Sequence, residues 1–305
     1  MDISIMIEGQ NGLTWPRWQR IARAVEDLGY AGLFRSDHFT NAAPPDRDSL
    51  ELWTSLTWLA ANTTRVRFGP LVTPCSFRHP VHTARMATAV DGLSGGRFTL
   101  GLGAGWQDRE HTNYGFELLP LRARFDRFAE SVEIITRLLR DPEPLSYDGR
   151  YYRLRDAVLL PRPRLGGLPI LIGGNGERRT LGLVARHAGE WNATFQPAGR
   201  WSELNRRLDG LLRKGGRDPA AVHRSMMTGL VFGRRTAEVE EKLRGRGRTR
   251  EEMRARGVLV GTPDEVTAQL AALQDVGLQE VMLQWLELDD LDGLELLARA
   301  VLAPR

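Results

Sequence analysis

A short apolar run followed by an amphipathic stretch recurs eight times along this chain, and that alternation leaves few folds open. The apolar runs are 3–8, 31–35, 66–72, 98–102, 168–172, 191–195, 225–232 and 280–285. Each is too short for a buried helix, and most end in Gly, Pro or polar residues, as strands do. Between them lie helical patterns. The first carries Trp18, Ile21, Ala22 and Val25 on one face and stops at Gly29. Ser49 is expected to cap a second helix, His79-Pro80 to open a third, and 121–139 to form a long fourth. Further helices are expected over 177–187, 201–212 and 291–302. Thr262-Pro263-Asp264-Glu265 has the cap, the first-position proline and the acidic first turn of a helix start.

Alternating β and α units within 305 residues imply a parallel sheet. Eight such units imply a closed (β/α)8 TIM barrel, with a doubly wound sheet as the alternative. No composition break divides 1–305, so one barrel domain is expected. Two segments fall outside the repeat. One lies near 143–156, where Asp148-Gly149 signals a hairpin with a two-residue turn. The other, near 234–257, is rich in arginine and is read as a helical, mobile surface insertion.

Composition narrows the class. The apolar fraction is 42% and the charged fraction 26%, as in a globular protein. No apolar run approaches the ~20 residues of a membrane span, so no membrane association is expected. The N-terminus has no basic, exported-type leader, and Cys75 is the only cysteine, which excludes an internal disulfide or a cysteine metal cluster. A cytoplasmic setting is expected. Of 42 basic residues only Lys214 and Lys242 are lysines. The arginines alternate with acids, as in Arg122, Arg124, Asp126, Arg127, Glu130 and Glu133, which fits solvated helix faces rather than a nucleic-acid track. His79 and His82 lack a matching carboxylate set, so no metal is expected. No serine lies in a nucleophile elbow.

In a barrel, chemistry belongs to the C-terminal strand ends. These are Glu8, Asp37-His38, Val72-Thr73, Gly103 to Trp106, Gly173 to Gly176, Phe195-Gln196 and Gln284-Trp285. His38 can carry a proton near neutral pH and Asp37 can tune it; alternatively Asp37 caps a turn and His38 packs on the rim. Gly101, Gly103 and Gly105 let backbone approach a ligand, or simply make a tight turn. Gly173-Gly174-Asn175-Gly176, before a helix beginning Glu177-Arg178-Arg179, suits a phosphate, or is an ordinary βα loop. Pro70 and Pro74 around Val72-Thr73 favour an irregular or cis backbone, or simple strand termination.

Together these residues resemble the bacterial luciferase-like family, and within it the branch of oxidoreductases that use the deazaflavin coenzyme F420. The resemblance rests on Leu28-Gly29-Tyr30, on 34–39 with Ser36-Asp37-His38-Phe39, and on 69–74, 92–97 and 100–110 with Tyr114-Gly115. It continues through 172–178, 188–192 and 261–265, and so covers nearly the whole chain. It implies a barrel with an insertion. An isoalloxazine-type ring would lie against a bulge near Pro70-Leu71, often with a non-proline cis peptide. The ring would contact Asp37, Leu71, Val72, Thr73, Gly103, Ala104 and Gly105. The phosphate would lie on Gly173, Gly174, Asn175 and Gly176.

By the same resemblance His38 is the acid/base and Asp37 its partner or the ring's. Glu8, Phe39, Trp106 and Trp285 are the candidate substrate pocket. Trp106 stands where the family's sugar-phosphate dehydrogenases carry a catalytic Glu, and Ala42 where they carry a Trp, which argues for a more apolar substrate. The expected activity is hydride transfer between F420 and a small organic molecule. The alternatives are a two-component monooxygenase, fed reduced FMN by a partner reductase and using O₂, and a non-catalytic flavin-binding protein. A homodimer is expected from the family.

Overall fold

The computed structural model describes residues 1–164 and 167–302. Its strands are β1 (Asp2–Ile7), β2 (Gly32–Arg35), β3 (Arg67–Pro70), β4 (Thr73–Pro74), β5 (Leu100–Gly103), β6 (Leu145–Asp148), β7 (Arg153–Ala157), β8 (Ile170–Gly173), β9 (Glu190–Thr194), β10 (His223–Phe232), β11 (Leu259–Gly261) and β12 (Glu280–Gln284). Its helices are α1 (Trp15–Leu28), α2 (Leu52–Asn62), α3 (Pro80–Ser94), α4 (Asp108–Tyr114), α5 (Leu121–Arg140), α6 (Thr180–His187), α7 (Ala198–Lys214), α8 (Thr236–Gly245), α9 (Arg250–Ala255), α10 (Pro263–Asp275) and α11 (Leu291–Val301).

The main sheet is parallel and runs β3-β2-β1-β12-β10-β9-β8-β5-β4. Its ends meet. Phe68 N donates to the Arg97 carbonyl at 3.1 Å and Thr99 N to the Phe68 carbonyl at 2.9 Å. The sheet is therefore a barrel, and the doubly wound alternative is excluded. All eight apolar runs of the sequence form barrel strands. The third is split: β3 pairs with β2 up to Pro70, and β4 pairs with β5 from Thr73. Between them the Leu71–Val72 peptide is cis, one bond beyond the place expected from the resemblance.

Several local expectations are corrected. Ser49 does not cap α2. The Glu51 side chain accepts from Thr54 N at 2.6 Å, while Ser49 Oγ donates to the His38 carbonyl at 2.7 Å. The hairpin β6–β7 has a four-residue loop, because Asp148 pairs with Arg153. That loop wraps the Glu130 carboxylate, which accepts from the backbone N–H groups of Arg150, Tyr151 and Tyr152. Helix α6 begins at Thr180 rather than at Glu177. The Arg-rich segment is helical as expected, forming α8 and α9, and leads into β11, which adds to β10. Val239 and Leu243 pack there with Val231, Val258 and Val260. Thr262 stands at the N-cap of α10 as expected, and it forms a capping box with Glu265. No described helix is long and apolar enough to cross a membrane.

Polar side chains at the N-terminal ends of five strands converge on the barrel floor. Arg67 Nη2 donates to Glu190 at 3.2 Å and to Glu280 at 3.0 Å. Ser225 Oγ donates to Glu190 at 2.6 Å and Ser4 Oγ to Glu280 at 2.5 Å, with His223 Nε2 3.2 Å from Glu280. Burial, aided by the like charge of Glu280 and only partly offset by Arg67, holds the Glu190 carboxyl above the usual range. Burial also opposes the charge on Glu280, but His223, Arg67 and Ser4 together hold that carboxyl low.

A raised carboxyl stabilises the fold fully below the unfolded value of about 4.3, and that contribution is lost as pH rises through the folded value. The stability of Glu190→Gln relative to wild type is therefore expected to be greater at about pH 8 than at about pH 4. Urea midpoints at the two pH values test this, and an equal change at both would refute it.

Candidate active site

The C-terminal strand ends enclose a cavity of about 520 Å³. Met6, Leu71, Val72, Phe125 and Met227 give it apolar walls, and Gly103 to Gly105 and Gly173 to Gly176 give it backbone walls. Glu8, His38, Glu110 and Arg124 supply the ionisable groups on its lining. Of the residues read from the sequence, Glu8, His38, Leu71, Val72, Gly103, Ala104, Gly105, Trp106, Gly173, Gly174, Asn175 and Gly176 line this space.

The glycines serve the wall as much as any ligand. A Cβ on Gly101 would lie 2.1 Å from the Pro70 carbonyl oxygen. One on Gly103 would lie 2.5 Å from Val72 Cγ2, and one on Gly173 3.1 Å from Val72 Cγ1. Their absent side chains make room for the Pro70–Val72 bulge, which brings Val72 to the cavity. Gly105 is at φ +83°, where a side chain would be strained, and its Cβ would sit 2.9 Å from Ser76 Oγ.

Four expected site residues lie elsewhere. Asp37 is buried behind the wall, accepting from Thr73 Oγ1 at 2.7 Å and pairing with Arg78 at 2.5 Å. Neither Asp37 nor Thr73 lines the cavity. Burial outweighs Arg78, Thr73 and Arg35 and leaves the Asp37 carboxyl above its ordinary range. Phe39 turns outward into a cluster with Phe77, Tyr114 and Phe116. Trp285 is buried against Phe232, its Nε1 donating to the Glu287 carbonyl. In each case the strand-end position is as read, but the side chain points away from the opening.

The partner of His38 is Glu110, which sequence reading did not single out for that role. Helix α4 brings its carboxylate to His38 Nδ1 at 2.9 and 3.1 Å, and one oxygen also accepts Phe39 N at 3.0 Å. Glu110 is 1% exposed. A carboxylate on Nδ1 places the proton there and leaves Nε2 as the free nitrogen. Burial disfavours the charged ring, but the Glu110 bond and charge, with Glu8 and Asp37 beyond, more than offset it and raise the His38 pKa. The indole of Trp106, 60% exposed, meets the His38 ring edge to face at 5.6 Å. The place of Glu110, in a polar stretch directly after the glycine run, put it near the opening, but nothing in the spacing tied it to His38, 72 residues away.

The expected arginines at the phosphate end are also replaced. Arg179 pairs with Asp126, and Glu177 with Arg200 and Arg207. The cation on the cavity wall is Arg124 of α5, which donates to the Gly105 carbonyl at 3.2 Å and the Leu119 carbonyl at 3.0 Å. No carboxylate pairs with it among the described residues, so it keeps donors for an anion. An apolar slot beside glycine backbone, lined also by Gly174 to Gly176 and by an unpaired guanidinium, fits a planar ring carrying a phosphate.

Comparison with known proteins places the chain in a family. The description of luciferase-like monooxygenases matches residues 1–248. The chain is 35% identical over 162 residues, 53% of its length, to 4-hydroxyprotoasukamycin monooxygenase of Streptomyces nodosus subsp. asukaensis. It is 29% identical over 227 residues, 72% of its length, to an F420-dependent glucose-6-phosphate dehydrogenase of Kineococcus radiotolerans. These matches span 42% and 65% of the two relatives' own lengths. The fold superposes on an F420-dependent secondary alcohol dehydrogenase, solved with an F420–acetone adduct, with a TM-score of 0.85 at 17% identity, covering 99% of this chain and 98% of that one. With the matched region reaching from β1 through α8, the chain belongs to the luciferase-like monooxygenase family.

Proposed function

We propose that this protein is an F420-dependent oxidoreductase acting on a small, fairly apolar organic substrate. The observation that carries the reading is His38: Nδ1 is locked to a buried glutamate, and the residue stands at the edge of an apolar slot walled by glycine backbone. Bound deazaflavin would supply hydride transfer; the chain supplies position and the proton. Leu71 and Val72 offer the ring an apolar face. The backbone N–H groups of Asn175 and Gly176, with Arg124, offer donors to its phosphate, while Gly174 N is held by the Asn192 carbonyl at 2.9 Å. Neutral His38 accepts a proton at Nε2 from a substrate hydroxyl, and charged His38 returns it, with Glu110 stabilising the charged form. Trp106, Leu121 and Phe125 line the open side and favour an apolar substrate body.

The likeness to an F420-dependent dehydrogenase over 72% of the chain supports this reading. The 35% identity to a monooxygenase favours a second one, in which a reductase supplies reduced FMN and O₂ is activated. Binding of F420 and FMN, measured side by side by fluorescence quenching, decides between them. Micromolar or tighter F420 binding with weak FMN binding, followed by anaerobic, substrate-dependent reduction of F420, is the expected result. FMN preference with O₂-dependent turnover would overturn it.

A further inference from the structure

Helix α4 carries two adjacent buried titratable residues, and they reach two different walls of the site. Glu110 reaches the His38 wall. His111, 2% exposed, reaches the other: Nε2 lies 2.8 Å from Ser76 Oγ, and Nδ1 lies 2.7 Å from the Gln107 carbonyl. A carbonyl can only accept, so Nδ1 carries the proton and Nε2 accepts from the serine hydroxyl. Ser76 in turn backs the glycine turn, since a Cβ on Gly105 would lie 2.9 Å from Ser76 Oγ and 3.5 Å from His111 Nε2. The segment before Ser76 is zipped to the same turn, Cys75 N donating to the Gly103 carbonyl at 2.9 Å. Phe77 covers the imidazole at 5.0 Å. Neither Ser76 nor His111 lines the cavity, so neither touches a ligand directly.

We propose that α4 is a bracket with two separable functions. Ser76 and His111 are positioning residues for the Gly103–Gly105 wall, and hence for cofactor affinity. Glu110 is the positioning residue for His38, and hence for the proton step. The bracket rests on the cofactor-binding reading above, but its test fails in a distinguishable way. Because consecutive helical residues point about 100° apart, one short helix holds the ring wall and the proton wall in fixed relation.

The experiment compares Ser76→Ala and Glu110→Gln with wild type, using F420 as ligand (FMN if that is the flavin bound). Ser76→Ala leaves a buried His111 nitrogen without its donor and frees the Gly105 turn. It is expected to weaken cofactor binding about fivefold to fiftyfold, while the pH at which turnover is half-maximal stays in place. Glu110→Gln is expected to do the reverse. Its cofactor Kd stays within about twofold, and the His38-dependent arm of the pH–kcat profile moves to lower pH as the anionic partner is lost.

Circular dichroism melts accompany both variants. Because a misfolded Ser76→Ala chain could mimic weak binding, Ser76→Thr, which retains the hydroxyl, is the rescue variant and is expected to bind within about threefold of wild type. Unchanged cofactor Kd in a folded Ser76→Ala protein would overturn the ring-wall function. An unmoved pH profile in folded Glu110→Gln would overturn the other. If wild type binds neither cofactor, the functional reading itself fails, and no comparison of variants is needed to see it.

Discussion

Replacing His38 is expected to lower substrate-dependent turnover by about 10²- to 10⁴-fold, the usual contribution of a positioned acid/base, while cofactor binding changes little. The choice of replacement matters. His38→Ala strands the buried Glu110 carboxylate, which keeps only its Phe39 N–H bond, and so lowers stability as well as activity. His38→Gln keeps an N–H donor for Glu110 but offers no proton near neutral pH. It is expected to melt within a few degrees of wild type and still lose turnover to the same extent. A well-folded His38→Gln protein with full kcat would refute the role of His38. In wild type, the pH dependence assigned to this ring should have its midpoint above the ordinary histidine value of about 6.5, because Glu110, with Glu8 and Asp37, outweighs burial.

The second large effect is on the fold. Gly69→Ala would place a Cβ 1.9 Å from the Thr99 carbonyl oxygen. The obstacle is backbone, not a movable side chain, and it stands at the seam where Phe68 meets Arg97 and Thr99 to close the barrel. Relief requires the third and fourth strands of the barrel to part. A loss of about 3 kcal/mol or more is expected, equivalent to roughly 5 °C in melting temperature for a chain of this length, or failure to accumulate as folded protein. Gly92→Ala is the control: nothing lies within 4 Å of its Cβ and it sits within α3, so it should be neutral or slightly stabilising. If the two variants melted alike, the seam would not be the tight point the geometry makes it.

The barrel was legible because its strands are short apolar runs separated by helices of one periodicity, a pattern with few topological solutions. The site was legible as positions and less so as directions. His38, Trp106, Gly103 and Gly173 to Gly176 line the cavity where strand-end logic placed them, whereas Asp37, Thr73, Phe39 and Trp285 turn away. One residue along a strand end reverses the side chain, and sequence alone does not give the pleat through an irregular segment such as Leu71–Val72. Glu110 and Arg124 were hidden for a different reason. Each reaches the site from a helix, across a separation in sequence that no local spacing encodes. Several motifs that carried the family likeness are structural. Arg97 holds the carbonyls of Ala60, Thr63 and Val66, and Tyr30 donates to the Leu294 carbonyl.

The Arg-rich segment has a consequence for how the fold responds to salt. Residues 234–256 contain nine basic and five acidic side chains, an excess of +4. That excess is met largely from outside the segment, where Asp290 pairs with Arg234, Glu287 with Lys242, and Glu265 with Arg250. The segment is thus fastened to the last βα units of the barrel by charge as well as by the apolar contacts of Val239 and Leu243. Exposed pairs of this kind are screened over a Debye length of about 8 Å at physiological ionic strength. Added salt should therefore loosen α8 and α9 before it touches the barrel seam, which is held by backbone hydrogen bonds that salt does not screen.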